Sequence, residues 1–566
     1  MKRFFILLNL SGILVSSAFA QPDSVTIKGK MMNLNGRLYR EASSITFSRN
    51  NILAPATEFS VNAPLQPDGS FTAKLPILAV TEEIYLDYGG KVYTTFLAKA
   101  GEVGITFDAD SMFKTQKLFH FDGVYAEANN YYPSYLQQEN KQFASNRQLG
   151  VDFQRTFWNQ GLNAARQSLL QRANLRQRAL TALLSEGKQS SDLTAWVNSL
   201  VEDETATLLM EYSLSNDVNL NTDDHLDMKR LVVTPLTYQK VLRTEMFKDY
   251  AARTVQASSR AARNAASLPV EKIAELVLSY VTPISNQERD KLMLIRQKKN
   301  VDKEELDLLS TLYKRGGDKL VLLANFEKSI AGFREQYEGP ALEFLIAAEF
   351  TDNFFQYTLE EKKILYDYLK DKIFNATIKA SLEELYLLEV KDSAEIEKVL
   401  KAAIGATPTE VADGIYMAES NQNGKTWLDK TLESFLGRTV YVINWDMYNG
   451  LSRDDLASAN FLRAQVPRDV AFLFLHVSDP DRPQIDQGGA YSKERKLWKQ
   501  YIVRHKLEGT HLFLNADQVL QLGIRTPYLP GTYYIIRPDG KFHSRNAPSP
   551  QKIAEASAAI RTANQK

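Results

Sequence analysis

The chain changes its hydrophobic rhythm twice, and the three stretches this defines predict three kinds of structure. Over residues 25–123 apolar and polar positions alternate with a period of two in short runs: VTIKG, SSITFS, EFSVNAPL, SFTAKLPI, EIYLDYGG, VYTTFLAK and VGITFD. Their β-branched and aromatic content, interrupted by turn residues, predicts strands. Gln66-Pro67-Asp68-Gly69-Ser70 supplies one such turn. Its proline presets φ and its glycine accepts the positive φ that follows. An all-β sandwich of roughly 100 residues is expected here.

Near Ala126 the period lengthens to about 3.6 and holds until about Gly405, which predicts helices. Phe153, Phe157, Leu162, Ala165, Leu169 and Ala173 fall on one apolar face, and Leu193, Val197, Leu200 and Val201 on another. Thr358-Leu359-Glu360-Glu361 reads as a capping box ahead of Ile364, Leu365, Tyr368 and Leu369. No repeat length recurs, so no regular solenoid is indicated. After Gly405 strands and helices alternate. TVYVINW and VAFLFLHVS are buried-strand runs, DDLASANFLRAQV and SKERKLWKQYIVRHKL are helical, and TYYIIRPDGKFHS is a hairpin turning at Pro538-Asp539-Gly540. That order predicts an α/β domain with the first two of these strands parallel and a closing hairpin, the thioredoxin plan.

With 566 residues the chain is too long for one core, and the expected division is a leader at 1–20, a β-sandwich-like domain at 21–125, a helical domain at 126–405 and a thioredoxin-like domain at 406–566. The leader has Lys2 and Arg3 ahead of an apolar run over residues 4–15, then Ala18-Phe19-Ala20. This is the pattern of a secretory signal peptide cut before Gln21. The expected location is the periplasm or cell envelope of a Gram-negative bacterium, with no integral membrane segment in the mature chain. Lys plus Arg and Asp plus Glu number 68 each, so no net field favours nucleic acid. Cysteine is absent, which removes disulfides, thiolate metal sites, thiol catalysis and a lipid-acceptor residue.

Other chemistry finds little footing. Gly450-Leu451-Ser452-Arg453-Asp454 fails the G-x-S-x-G elbow at its fifth position. The histidines are His120, His225, His476, His505, His511 and His543. None makes an H-x-x-x-H pair, so each is read as a surface or partly buried residue, and no metal site and no cofactor is expected.

The C-terminal stretch resembles the TlpA-like thiol-disulfide oxidoreductases of the thioredoxin superfamily, whose core reads strand, F-W-A-x-W-C-x-P-C-R-x-E, helix. In this chain Trp445 stands for the first tryptophan, Tyr448 for the second and Asn449 for the first cysteine. Gly450, Leu451, Ser452, Arg453 and Asp455 follow at the variable glycine, the proline, the second cysteine, the arginine and the acid. Trp498 with LEGTHLFLN, the segment Leu529-Pro530-Gly531-Thr532-Tyr533-Tyr534-Ile535-Ile536, and Asn546-Ala547-Pro548-Ser549-Pro550 are similar to later family stretches. QPDGSF, KAGEVGITFD and FDGVYAEANNYY are similar to the β-domain that precedes long members.

The resemblance implies a multidomain α+β protein with an N-terminal β-sandwich, a helical middle and a C-terminal thioredoxin-like α/β domain. It also implies that Pro530 is the family's cis-proline and faces the former catalytic loop. Disulfide exchange needs an attacking thiolate, and this chain has none, so no catalytic residue is assigned. What the resemblance leaves is a groove for a protein or peptide partner, walled by Trp445, Tyr448, Asn449 and Ser452 on one side and by Leu529, Pro530, Gly531 and Thr532 on the other. The expected function is a redox-inactive envelope protein that binds or helps assemble another protein. The alternative is an oxidoreductase by ancestry alone, or an enzyme with a thiol-independent activity at the same loop.

Overall fold

The structure, a computed structural model, describes residues 23–115, 117–220, 231–261, 268–297, 301–479, 492–522 and 529–565. The expected signal peptide at 1–20 lies outside them. Contacts divide the chain into two compact units. The first runs to Ala266 and takes in Ile330–Ala347 and Ile373–Leu382, while the second comprises Ser267–Ser329, Ala348–Lys372 and Glu383–Lys566. The helical stretch is shared between the two.

Eight strands open the first unit: β1 (Ser24–Met32), β2 (Ser44–Asn51), β3 (Ala54–Pro64), β4 (Ser70–Pro76), β5 (Glu82–Tyr88), β6 (Val92–Ala98), β7 (Gly101–Asp108) and β8 (Phe119–Gly123). They form two four-stranded sheets, ordered β4-β1-β7-β8 and β3-β2-β5-β6. The period of two puts Val25, Ile27 and Met31 of β1 in the same core as Ile45 and Phe47 of β2. Phe71 of one sheet and Phe47 of the other lie 6.0 Å apart, each worth about 1.5–3 kcal/mol when fully buried. The Gln66–Ser70 turn needs its glycine. Gly69 sits at φ 81, and a Cβ there would come within 2.1 Å of the Met31 carbonyl oxygen.

Helices follow from Ala126, where the period changes. The apolar face read from Phe153 to Ala173 is broken into two helices, Phe153–Phe157 and Leu162–Ser185, with Gly161 in extended conformation between them. Glycine is a poor helix former and Phe157 is already enclosed, so the chain turns there. Phe153, Phe157, Ala165 and Leu169 still share a core with Leu209 and Tyr212, but Ala173 packs on another. In the second unit Thr358 and Glu361 form the capping box at the start of helix Leu359–Leu369. The Thr358 hydroxyl accepts the Glu361 N–H at 3.3 Å, and the Glu361 carboxylate accepts the Thr358 N–H at 2.8 Å. Such a cap contributes about 1 kcal/mol.

The second unit also holds β9 (Thr409–Ala412), β10 (Ile415–Glu419), β11 (Val440–Trp445), β12 (Ala471–Val477), β13 (Gly509–Leu514), β14 (Thr532–Ile536) and β15 (Phe542–Ser544). Together they make one sheet ordered β15-β14-β11-β12-β13-β10-β9. β11 and β12 are parallel, as their continuous apolar runs predict, and β14 and β15 close the sheet as a hairpin. Trp445, Phe474, Trp498 and Phe513 pack on one face, and Trp427, Leu473, Leu475 and Leu512 on the other. The helix expected over DDLASANFLRAQV is instead two, Gly450–Ala457 and Ala459–Gln465. The Ser458 N–H bonds back to the Asp455 carbonyl at 3.2 Å, a tightened final turn that redirects the chain.

Candidate functional site

Parallel strands β11, β12 and β13 carry their C-terminal ends to one edge of the sheet, the edge at which α/β folds place their ligands. There the chain leaves Trp445, passes through residues 446–449 and enters helix Gly450–Ala457. Asn449 is the N-cap, its side chain accepting the Ser452 N–H at 3.0 Å. The Ser452 hydroxyl accepts the Asp446 N–H at 3.3 Å and donates to the Asn449 carbonyl at 3.0 Å or the Asp446 carbonyl at 3.2 Å. Among the described residues, every partner of that hydroxyl is the backbone of its own loop. Arg453 donates to the Met447 carbonyl at 2.7 Å, and its guanidinium lies 3.7 Å from the centre of the Phe355 ring. Burial pulls its pKa below the usual arginine value.

The second wall is a turn at the same end of β11. The Gly531 N–H donates to the Asn444 carbonyl at 2.9 Å, the Asn444 amide donates to the Thr532 hydroxyl at 2.8 Å, and that hydroxyl donates to the Leu529 carbonyl at 2.6 Å. The turn is therefore fastened to β11 at Asn444, just before the 446–449 loop leaves the strand. Under the first helix the half-buried Asp455 carboxyl takes hydrogen bonds from the Tyr533 and Ser549 hydroxyls, and burial holds its pKa above the usual aspartate value.

Three expectations need correction. Trp445 is wholly enclosed because its position on β11 points inward, edge-on to His476 at 5.2 Å and against Tyr501 at 5.4 Å. Ser452 is 1% exposed and is consumed by the loop it stitches. Neither can touch a partner. The Leu529–Pro530 bond is not among the cis bonds of the described residues, which are Thr234–Pro235 and Thr282–Pro283. Proline follows Leu529, Gly531 sits at φ 78 and the Thr532 N–H bonds to the Leu529 carbonyl at 3.2 Å. Those are the residues and bond of a type II turn. Tyr448, Asn449, Leu529, Pro530, Gly531 and Thr532 remain at least partly accessible.

Sequence reasoning placed Leu529 in the groove wall but passed over Leu451 as apolar surface. Leu451 is 80% and Leu529 63% exposed, and no periodicity marks a lone apolar residue in a short first turn or a loop. It also placed the histidines at or near the surface, yet His476 and His511 are fully enclosed. Cross-strand pairing explains this: His511 lies opposite Phe474, and His476 opposite Phe513. Beside Met447 a cavity of about 290 Å³ is lined by Phe355, Tyr357, Gln500, Tyr501 and Arg504. A larger one of about 680 Å³ lies at the other end of the strands, where β12 and β13 begin at Ala471 and Gly509.

The chain matches no protein-family model and no curated protein sequence. Among solved structures it is similar to the solution structure of a Bacteroides vulgatus protein provisionally named a thiol-disulfide oxidoreductase. The identity is 21%, over 23% of this chain and 78% of that one, with a TM-score of 0.18.

Proposed function

We propose that this protein is a redox-inactive, exported thioredoxin-like protein whose C-terminal α/β region holds an apolar segment of a protein partner. The contact surface is the rim made by Leu451 and the Leu529–Thr532 turn. The observation that carries this reading is the exposure of two leucines, Leu451 in the first turn of helix Gly450–Ala457 and Leu529 on the turn bonded to Asn444 at the same end of β11, beside a loop whose own polar groups bond to each other. Isolated exposed leucines are ordinary. A pair at the ligand-bearing end of a parallel sheet is a more pointed feature. Asn449 and Ser452 stand where an oxidoreductase of this plan carries sulfur. Neither an amide nor a hydroxyl can form the mixed disulfide that exchange requires.

A photo-crosslinking amino acid placed at 451 or 529 in the full chain tests this, with Leu436, 60% exposed in the same unit, as control position. Specific protein adducts at 451 and 529 but not at 436 are expected. Equal or absent adducts at all three would sink the reading. Insulin reduction should proceed no faster than in buffer, and the secreted chain should begin at Gln21 by N-terminal sequencing.

A further inference from the structure

The sequence offers no metal motif, but the second unit assembles one kind of ligand set from three separate elements. Asp446 comes from the loop after β11, His476 from β12 and Glu494 from the first turn of helix Ser492–Arg504. One ligand atom from each lies within 4.8 Å of the other two, and the residues are 4%, 0% and 8% exposed. We propose that these three side chains bind a single first-row divalent cation, with zinc as the best-matched ion.

The donors are chemically suited to this. An imidazole nitrogen and two carboxylates form a mixed N/O set, which favours zinc over calcium, an ion that takes six to eight oxygens. Nε2 of His476 accepts the Met447 N–H at 3.2 Å, so it presents a lone pair, and it lies 3.6 Å from Oε1 of Glu494. That spacing brings an imidazole nitrogen and a carboxylate oxygen close enough to share one cation, and coordination of a metal is one way a protein accommodates buried carboxylates. Tetrahedral bonds of about 2.1 Å place two ligand atoms about 3.4 Å apart, close to the separation seen. The Met447 bond, long for a hydrogen bond, is a weak competitor for Nε2.

The imidazole is also held in place. Its ring stacks on Phe513 at 4.8 Å and 5°, and the Trp445 ring meets it edge-on at 5.2 Å. Fixed orientation of a histidine is what a metal site needs and what a second layer of contacts ordinarily supplies. Because all three donors are enclosed, a bound cation here would fasten the 446–449 loop to β12 and to the helix. It would not act as an open catalytic centre, which keeps a position for substrate. The inference is independent of the proposed partner surface.

The test is titration of chelator-stripped, full-length protein with zinc chloride by calorimetry, with calcium chloride as the contrasting probe. One zinc per chain is expected, with a thermal midpoint raised by a few degrees at saturation and no matching response to calcium. His476→Gln, Asp446→Asn and Glu494→Gln should each weaken zinc binding at least about tenfold. An anomalous diffraction peak should lie among the three side chains. If His476→Gln fails to fold by circular dichroism, the near-isosteric Glu494→Gln carries the test. No zinc binding by the stripped wild type, undiminished binding by Glu494→Gln, or a peak at an exposed histidine such as His120 or His543 would each overturn the proposal.

Discussion

His476 and His511 occupy matching places on neighbouring parallel strands, and their polar surroundings differ. Each faces a phenylalanine across the β12–β13 register, and each stacks on it nearly parallel, at 4.8 Å for His476 with Phe513 and 4.5 Å for His511 with Phe474. Among the described residues His511 finds one polar partner, donating from Nε2 to the Leu507 carbonyl at 2.7 Å, while its Nδ1 is buried with no hydrogen-bond partner. Burial therefore pushes its pKa down to about 3, and the ring is a neutral piece of core. His476 meets a backbone N–H and two carboxylates. The same residue in the same local pairing becomes filler in one case and a candidate ligand in the other, because helix Ser492–Arg504 and the 446–449 loop reach one ring.

The comparison can be broken most forcefully at Trp445, which meets His476 edge-on. Trp445→Ala should cost about 3–5 kcal/mol in urea unfolding, as expected for a buried tryptophan. A loss below about 1 kcal/mol would return Trp445 to the surface groove. His511 sharpens the contrast through pH. Its folded pKa lies below the unfolded value of about 6.5. On acidification the unfolded chain therefore gains a proton that the folded chain refuses until about pH 3. The stability contributed by neutral His511 is present above pH 6.5 and is lost as the pH falls toward 3. Between pH 7 and pH 5 the loss should be about 2 kcal/mol, and His511→Gln should reduce the stability change between those two pH values by about that amount. An unchanged slope would mean that His511 takes up a proton within the fold.

Smaller effects probe the loop on the His476 side. Asn449→Ala removes the cap that orders residues 446–449 and should cost about 1 kcal/mol by denaturation; no change would show that Ser452 alone holds the loop. Leu451→Ala and Leu529→Ala should alter stability by less than about 0.5 kcal/mol, since both side chains are largely in solvent. Their expected signature is weaker capture of the crosslinked partner. A large loss of stability in either would make these leucines structural.

The local pattern of this chain was legible where a short stretch contains its own cause. Period two over residues 25–123 produced the strands, Thr358 and Glu361 produced their cap, and the apolar runs VYVINW and AFLFLHV produced β11 and β12. The Pro530-Gly531 pair carried its turn as well, though the family resemblance pointed to a cis bond. The absence of any thiol was also readable, since no arrangement in space can supply an absent sulfur.

Tertiary structure alone decided the rest. Whether Ser452 is a surface hydroxyl or a buried stitch depends on how the loop closes on Asp446, and whether Trp445 lines a groove or fills a core depends on Tyr501, from a distant helix. Asp446, His476 and Glu494 share no motif, because the strand, the loop and the helix that bring them together are joined by long connections. Periodicity fixes which side of an element is apolar. It does not fix which distant polar groups the packed elements enclose, and that enclosure sets whether an imidazole is silent or available to bind.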